Sequence, residues 1–140
     1  MGDLALRFTA SLAALSVAAA AAAAVPASAC TEGLRPASTA QLFFGLSAAN
    51  QPDVTDADWR AFVDAEVTPR FPDGLSVSDV YGQWKSPAGD FVRESTKAVF
   101  IVLAGRPDES ERLGLIRDAY KRRFHQQSVL LVEQKACVSF

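Results

Sequence analysis

Few residues in this sequence are of types that do chemistry, and their spacing narrows the choice. The 140 residues include one histidine, His125, and two cysteines, Cys30 and Cys137. A protein zinc site needs three or four ligands, so no metal site is expected. No Gly-x-Ser-x-Gly elbow, glycine-rich phosphate loop or His-Glu-x-x-His helix occurs, and no cofactor is implied. What remains is a polar group on two neighbouring extended segments. Tyr81 and Gln83 alternate along the first; Arg93, Ser95 and Lys97 alternate along the second. Alternation puts each set on one face of its strand, where Arg93 could hold an anion that Tyr81 and Gln83 orient by hydrogen bonds. The simpler reading is a solvated face with cross-strand charge pairs, each contributing about 0.2–1 kcal/mol. Arg70 is a further candidate, either pairing with Glu66 one helical turn away or touching a ligand. Tyr81, Gln83, Arg93, Lys97 and Arg70 form the expected ligand set. Tyr81, Glu94, Asp79 and His125 could act as acids or bases, but no spacing singles out a pair, so no catalytic residue is assigned.

The elements that must position these residues follow from hydropathy period and turn chemistry. Between Thr39 and Ala49, the run Gln41-Leu42-Phe43-Phe44-Gly45-Leu46 reads as a strand apolar on both faces. Thr55 can cap a helix over about 56–67, where Trp59, Phe62, Val63 and Val67 recur at helical spacing before Pro69. Phe71-Pro72-Asp73-Gly74 is a turn, and a moderately polar strand follows from Leu75. The loop 85–90 closes a hairpin onto a strand from Val92 to Leu103, whose second half is apolar enough to be buried on both faces. Pro107 and Asp108 open a second helix that ends near Phe124, where Lys121, Arg122 and Arg123 suit the negative end of its dipole. The last strand covers 128–138. The order is β-α-β-β-α-β, which predicts an α+β, ferredoxin-like split βαβ fold: a four-stranded antiparallel sheet in order 4-1-3-2, with both helices on one face. The two most apolar strands then lie in the centre.

Ahead of this domain, 39–140, stand a leader, 1–29, and a short extension, 30–38. Arg7, the alanine-rich stretch 12–25, Pro26 and Ala27-Ser28-Ala29 have the arrangement of a secretory signal, with an apolar run short of the roughly 20 residues that cross a bilayer. The expectation is export to the periplasm or medium. Cleavage after Ala29 leaves Cys30 first, which opens the alternative of a membrane-anchored lipoprotein with lipid on Cys30; that lipid would be the chain's only membrane contact. In the predicted sheet, however, the last strand runs antiparallel beside the first, so Cys137 lies near Thr39, within reach of Cys30. The expected pairing is a Cys30–Cys137 disulfide, suited to an oxidising compartment and exclusive of lipidation. The net charge of −2 offers no basic field for phosphates, so no nucleic-acid partner is expected.

Four segments give the chain a resemblance: Leu42-Phe43-Phe44-Gly45-Leu46-Ser47; Glu66-Val67-Thr68-Pro69-Arg70-Phe71-Pro72-Asp73-Gly74-Leu75; Tyr81-Gly82-Gln83-Trp84; and Cys137-Val138-Ser139-Phe140. With these the chain resembles the bacterial domain of unknown function 3574 family. The resemblance implies an exported or lipid-attached protein and brings no activity, substrate or catalytic residue.

Two functions are expected in this order. The first is a non-catalytic exported module that binds a small molecule or a partner protein through the sheet face left open by the helices, with a homodimer formed through that face. The alternative is a cofactor-independent enzyme of the dimeric α+β barrel type, which rests on fold analogy.

Overall fold

The computed structural model describes residues 30–140; the expected leader lies outside the described residues. The elements are β1 (Arg35–Gly45), α1 (Asp56–Phe62) continued by one π turn (Val63–Val67), β2 (Ser76–Lys85), β3 (Phe91–Leu103), α2 (Glu109–Phe124) and β4 (Leu130–Val138). The strands form one antiparallel sheet in the order β2-β3-β1-β4, as the sequence predicts.

The core lies between α1, α2 and one face of that sheet. Leu42 pairs with Val99 and Ala40 with Ile101 in register, so their side chains share a face, and all four are buried. Onto them pack Trp59 and Phe62 from α1 and Leu113, Ile116 and Tyr120 from α2. Phe44 meets Tyr120 at 4.7 Å and Trp59 at 5.2 Å between ring centroids, in tilted and edge-on contacts that aromatic quadrupoles favour. The Tyr120 hydroxyl donates to the Gly45 carbonyl at 2.8 Å, and burial pushes its phenol pKa up.

Three departures from the sequence reading have physical causes. The first helix keeps its expected span, but its last turn widens, with the Thr68 amide donating to the Val63 carbonyl at 2.9 Å. A continued α period would bring Glu66 inward after Phe62. The extra residue in the turn brings Val67 inward instead, fully buried, and leaves Glu66 free to hold Arg70. Secondly, β1 begins at Arg35 rather than Thr39, pairing Arg35 with Val138 and Pro36 with Cys137. Past Leu103, the last residue of β3, β1 has only β4 as a neighbour, so Pro36 can be tolerated without an amide hydrogen. Thirdly, the second half of β3 is buried on one face only. Val99, Ile101 and Leu103 are buried, whereas Phe100 is 38% exposed on the face the helices leave open.

Cys30 and Cys137 form a disulfide with Cα atoms 5.6 Å apart, fastening the start of the described chain to β4. Among the described residues, no helix is long and apolar enough to cross a membrane.

Candidate functional site

The polar residues of β2 and β3 follow from the hairpin register. Lys85 pairs with Phe91, so Gln83 pairs with Arg93, Tyr81 with Ser95 and Asp79 with Lys97. All stand on the same face as Val99 and Leu42, the helix-bearing one, but towards the hairpin end, past the cover of the helices. The capping box at Thr55, in which the Asp58 amide donates to the Thr55 hydroxyl oxygen at 3.1 Å, starts α1 so that Asp56 overhangs Lys97.

Lys97 is the centre of this region. Its side chain is only 10% exposed, and its ammonium reaches Asp56 at 2.9 Å and Asp79 at 2.5 Å. Hydrogen bonds to Asp79 and Asp56 hold its pKa above the ordinary lysine value, against the opposing effect of burial. The Asp56 carboxyl is held below its usual range by the same hydrogen bond and by the charge of Lys97. Both carboxylates face water, and an ammonium with three donors keeps one beyond these two bonds. Beside them Leu46, Tyr81, Ser95 and Thr96 complete a hollow of about 390 Å³, with the Tyr81 ring 68% exposed at its mouth. One lysine and two aspartates leave the hollow a net charge of −1. It can therefore accept hydrogen bonds from a cationic or donor-rich group while offering a flat aromatic surface.

The structure thus brings Tyr81 and Lys97 of the expected ligand set into one hollow. Gln83 and Arg93 form the next row, where the Arg93 Nε donates to the Gln83 Oε1 at 3.0 Å, a cross-strand pair rather than a free anion clamp. Arg70 lies apart: its guanidinium bonds the Glu66 carboxylate at 2.8 Å and the Glu66 carbonyl at 2.6 Å, closing the π turn. Four of the five expected residues consequently lie on the helix-bearing face of the sheet and none on the open face. Of the candidate acids and bases, Asp79 and Tyr81 line the hollow. His125 ends α2 in a left-handed conformation at φ 53°. Sequence reasoning missed Asp56, which reads as an ordinary first-turn acid. No local signal places it beside a lysine 41 positions later.

Glu94 stands on the opposite, open face at the same end of the sheet. The Trp84 indole donates to its Oε1 at 3.1 Å. Gly82, its partner across the hairpin, and Gly45 of β1 leave room for it; a Cβ on Gly45 would sit 2.5 Å from the Glu94 carboxylate. The open face therefore carries one fixed carboxylate at this end.

A larger hollow, about 620 Å³, lies at the other end of the sheet. Its acid and its lysine are already engaged: Asp73 accepts from Arg106 at 2.6 Å and Lys135 donates to Ser38 at 3.0 Å, while Arg35 lies with its face over the Phe140 ring. Among the described residues, no group of three or more His, Cys, Asp or Glu could hold a metal ion.

Residues 39–140 match the family described as Protein of unknown function (DUF3574). The chain belongs to that family. Its β1 core, its π turn, Arg70 and Cys137 all fall inside the matched span, while Cys30 falls outside it. None of the curated proteins compared with this DUF3574 chain matches it. Among solved structures it is similar to a phage SAM lyase in complex with S-methyl-5'-thioadenosine, at TM-score 0.57 and 17% identity, over 83% of this chain and 97% of that one. The apo state of phage SAM lyase aligns at TM-score 0.55 and 16% identity, over 75% and 90%. CutA from Synechococcus elongatus aligns at TM-score 0.46 and 9% identity, over 72% and 80%. At these identities the lyase likeness establishes a shared fold and nothing finer.

Proposed function

We propose that this DUF3574 protein is an exported, non-catalytic module that binds a small ligand in the hollow around Lys97. The ligand presents a cationic or donor-rich group to Asp56 and Asp79 and lays a flat face on Tyr81. The observation that carries this reading is a nearly buried lysine holding two solvent-facing carboxylates at the edge of a hollow with an exposed aromatic ring. Structural ion pairing alone explains the lysine and its two partners. It does not explain why Tyr81, on the same face, stands bare in water beside them. Export is supported by the leader pattern and by the Cys30–Cys137 disulfide, a bond that persists in oxidising compartments. With Cys30 in that bond, the sulfur is not free for a lipid.

The fold likeness suggests a practical probe. S-adenosylmethionine carries a sulfonium, an ammonium and a flat base; S-methyl-5'-thioadenosine keeps the base and loses both cations. Calorimetric titration of residues 30–140, disulfide intact, is expected to show binding of the first and at least tenfold weaker binding of the second, with Asp79→Asn erasing the difference. Equal binding of the two, or none of either at millimolar concentration, would overturn this reading. Conversion of the first compound into the second during the titration would favour the alternative enzyme.

A further inference from the structure

The face of the sheet opposite the hollow carries its own pattern. Strand alternation assigns to it Phe43 of β1, Phe100 and Val102 of β3, and Leu130 and Val132 of β4; Phe100 is 38% and Leu130 58% exposed. A monomer that leaves such a band wet is at odds with the usual limit on contiguous apolar surface. Among all the residues that the four strands place on this face, two are charged, Arg35 and Glu94, and they stand at opposite ends.

Their positions are related by symmetry. Gln41 of β1 pairs with Phe100 of β3. Arg35 lies six residues before Gln41 and Glu94 six residues before Phe100, and β1 and β3 run in opposite directions. The two charges are thus displaced equally, about 20 Å each at 3.3 Å per residue, to either side of the Gln41–Phe100 row. A two-fold axis lying along that row, across the strands, turns one sheet over onto a second copy. It sets each Arg35 against the Glu94 of the other copy and brings the two Phe100 rings to the centre. A two-fold axis along the strands would instead oppose Arg35 to Arg35 and Glu94 to Glu94. Like charges held opposite each other are destabilising, so the pattern selects the first axis. Glu94 is suited to this role because Trp84 and the glycine hollow fix its carboxylate in place.

We infer that this chain forms a homodimer by packing the open faces of two sheets together about a two-fold axis through the Gln41–Phe100 row, closed at both ends by Arg35–Glu94 ion pairs between copies. Four strands about 4.8 Å apart and roughly 30 Å long offer about 1,100 Å² counted over both copies, at the lower limit of specific interfaces. An interface of this size fits a reversible dimer rather than an obligate one. Its isologous geometry makes each contact occur twice. The ligand hollow lies on the opposite face, so the dimer stands or falls independently of the proposed function.

The test is sedimentation equilibrium of residues 30–140 with the disulfide intact. Arg35→Glu, on an exposed side chain, is expected to weaken the dimer about tenfold or more through two lost pairs and two repulsions, and Arg35→Glu with Glu94→Lys to recover most of the loss. Because position 94 is packed, the Arg35→Lys variant gives a second readout: carbodiimide coupling should join position 35 of one copy to Glu94 of the other, read by mass spectrometry. A monomer at 100 micromolar, a dimer indifferent to Arg35→Glu, or intermolecular coupling that never involves Glu94 would each overturn the inference.

Discussion

Along β3, Val99, Ile101 and Leu103 are buried against the helices, while Phe100, between the first two on the same strand, stands 38% exposed on the other face. Along β1, Leu42 and Phe44 are fully buried and Phe43, between them, is half-buried. One stretch of sequence thus serves two surfaces of similar apolar character and different packing. The helix-bearing face gains its stability from interlocked aromatic rings and ends in a charged hollow where the helices stop. The open face has no cover of its own and carries charge only at its two ends. Apolar content decides that a strand belongs in the centre of a sheet; only the number of helices decides how many of its faces are closed.

Substitutions on the two faces separate these roles, and the largest effect belongs to the covered face. Phe44→Ala removes a ring that contacts Trp59, Phe62 and Tyr120. It is expected to cost about 3–5 kcal/mol, read as a lower urea midpoint at unchanged slope. A cost below about 1 kcal/mol would mean that the covered face is not the core.

Replacing both Cys30 and Cys137 by Ser opens a loop spanning 107 positions, which on the chain-entropy argument costs on the order of 4–5 kcal/mol. The loss should appear equally in the wild type under reductant. An oxidised protein no more stable than its reduced form would remove the bridge from the account.

Lys97→Met probes the end of the covered face and carries a pH signature. The raised pKa of Lys97 makes its contribution complete below the ordinary lysine value, near 10.4, and lost as pH rises through the higher folded value. The lowered pKa of Asp56 makes its contribution present above about 3.9 and lost as pH falls through the lower folded value. The ion-pair stabilisation therefore spans the range between about pH 5 and 10, where the variant should melt several degrees below the wild type. At pH 2.5 the gap should narrow. A gap that is constant with pH would reduce Lys97 to a packing residue.

The smallest effect is expected on the open face. Phe100→Ser should change monomer stability by less than about 1 kcal/mol in dilute solution, because the ring is already partly in water. The same variant at high concentration should lose self-association. A large loss of stability in the dilute monomer would show that the open face has an intramolecular cover.

Much of this was legible in the sequence. Period and turn chemistry give all six elements, and the apolar density of β1 and β3 orders the strands; the disulfide follows because that order sets Cys137 beside the start of β1. The Asp79–Lys97, Tyr81–Ser95 and Gln83–Arg93 pairs are set by the closure of the hairpin at Lys85 and Phe91, a register the sequence did not specify. What was not legible depends on packing between distant elements. The placement of Asp56 over Lys97 is set by the angle at which α1 leaves its Thr55 cap. The π turn, which carries Val67 fully into the core and leaves Glu66 outside, has no local signature: the spacing that puts Val67 on the apolar face does not announce a wider turn. Nor does alternation within a strand say which of its two faces the helices will cover, so the polar set could be placed on one shared face but not on a particular side of the sheet.

The most direct test of a sheet with two separately employed faces is a pair of amide-shift titrations on one labelled sample of residues 30–140. Raising the protein concentration should move the resonances of Phe43, Phe100, Leu130 and Val132, while adding S-adenosylmethionine should move those of Asp79, Tyr81, Ser95 and Lys97, with little overlap between the sets. Ligand-induced shifts centred on Phe100 and Leu130, or concentration-dependent shifts centred on Tyr81 and Lys97, would contradict that division of the sheet.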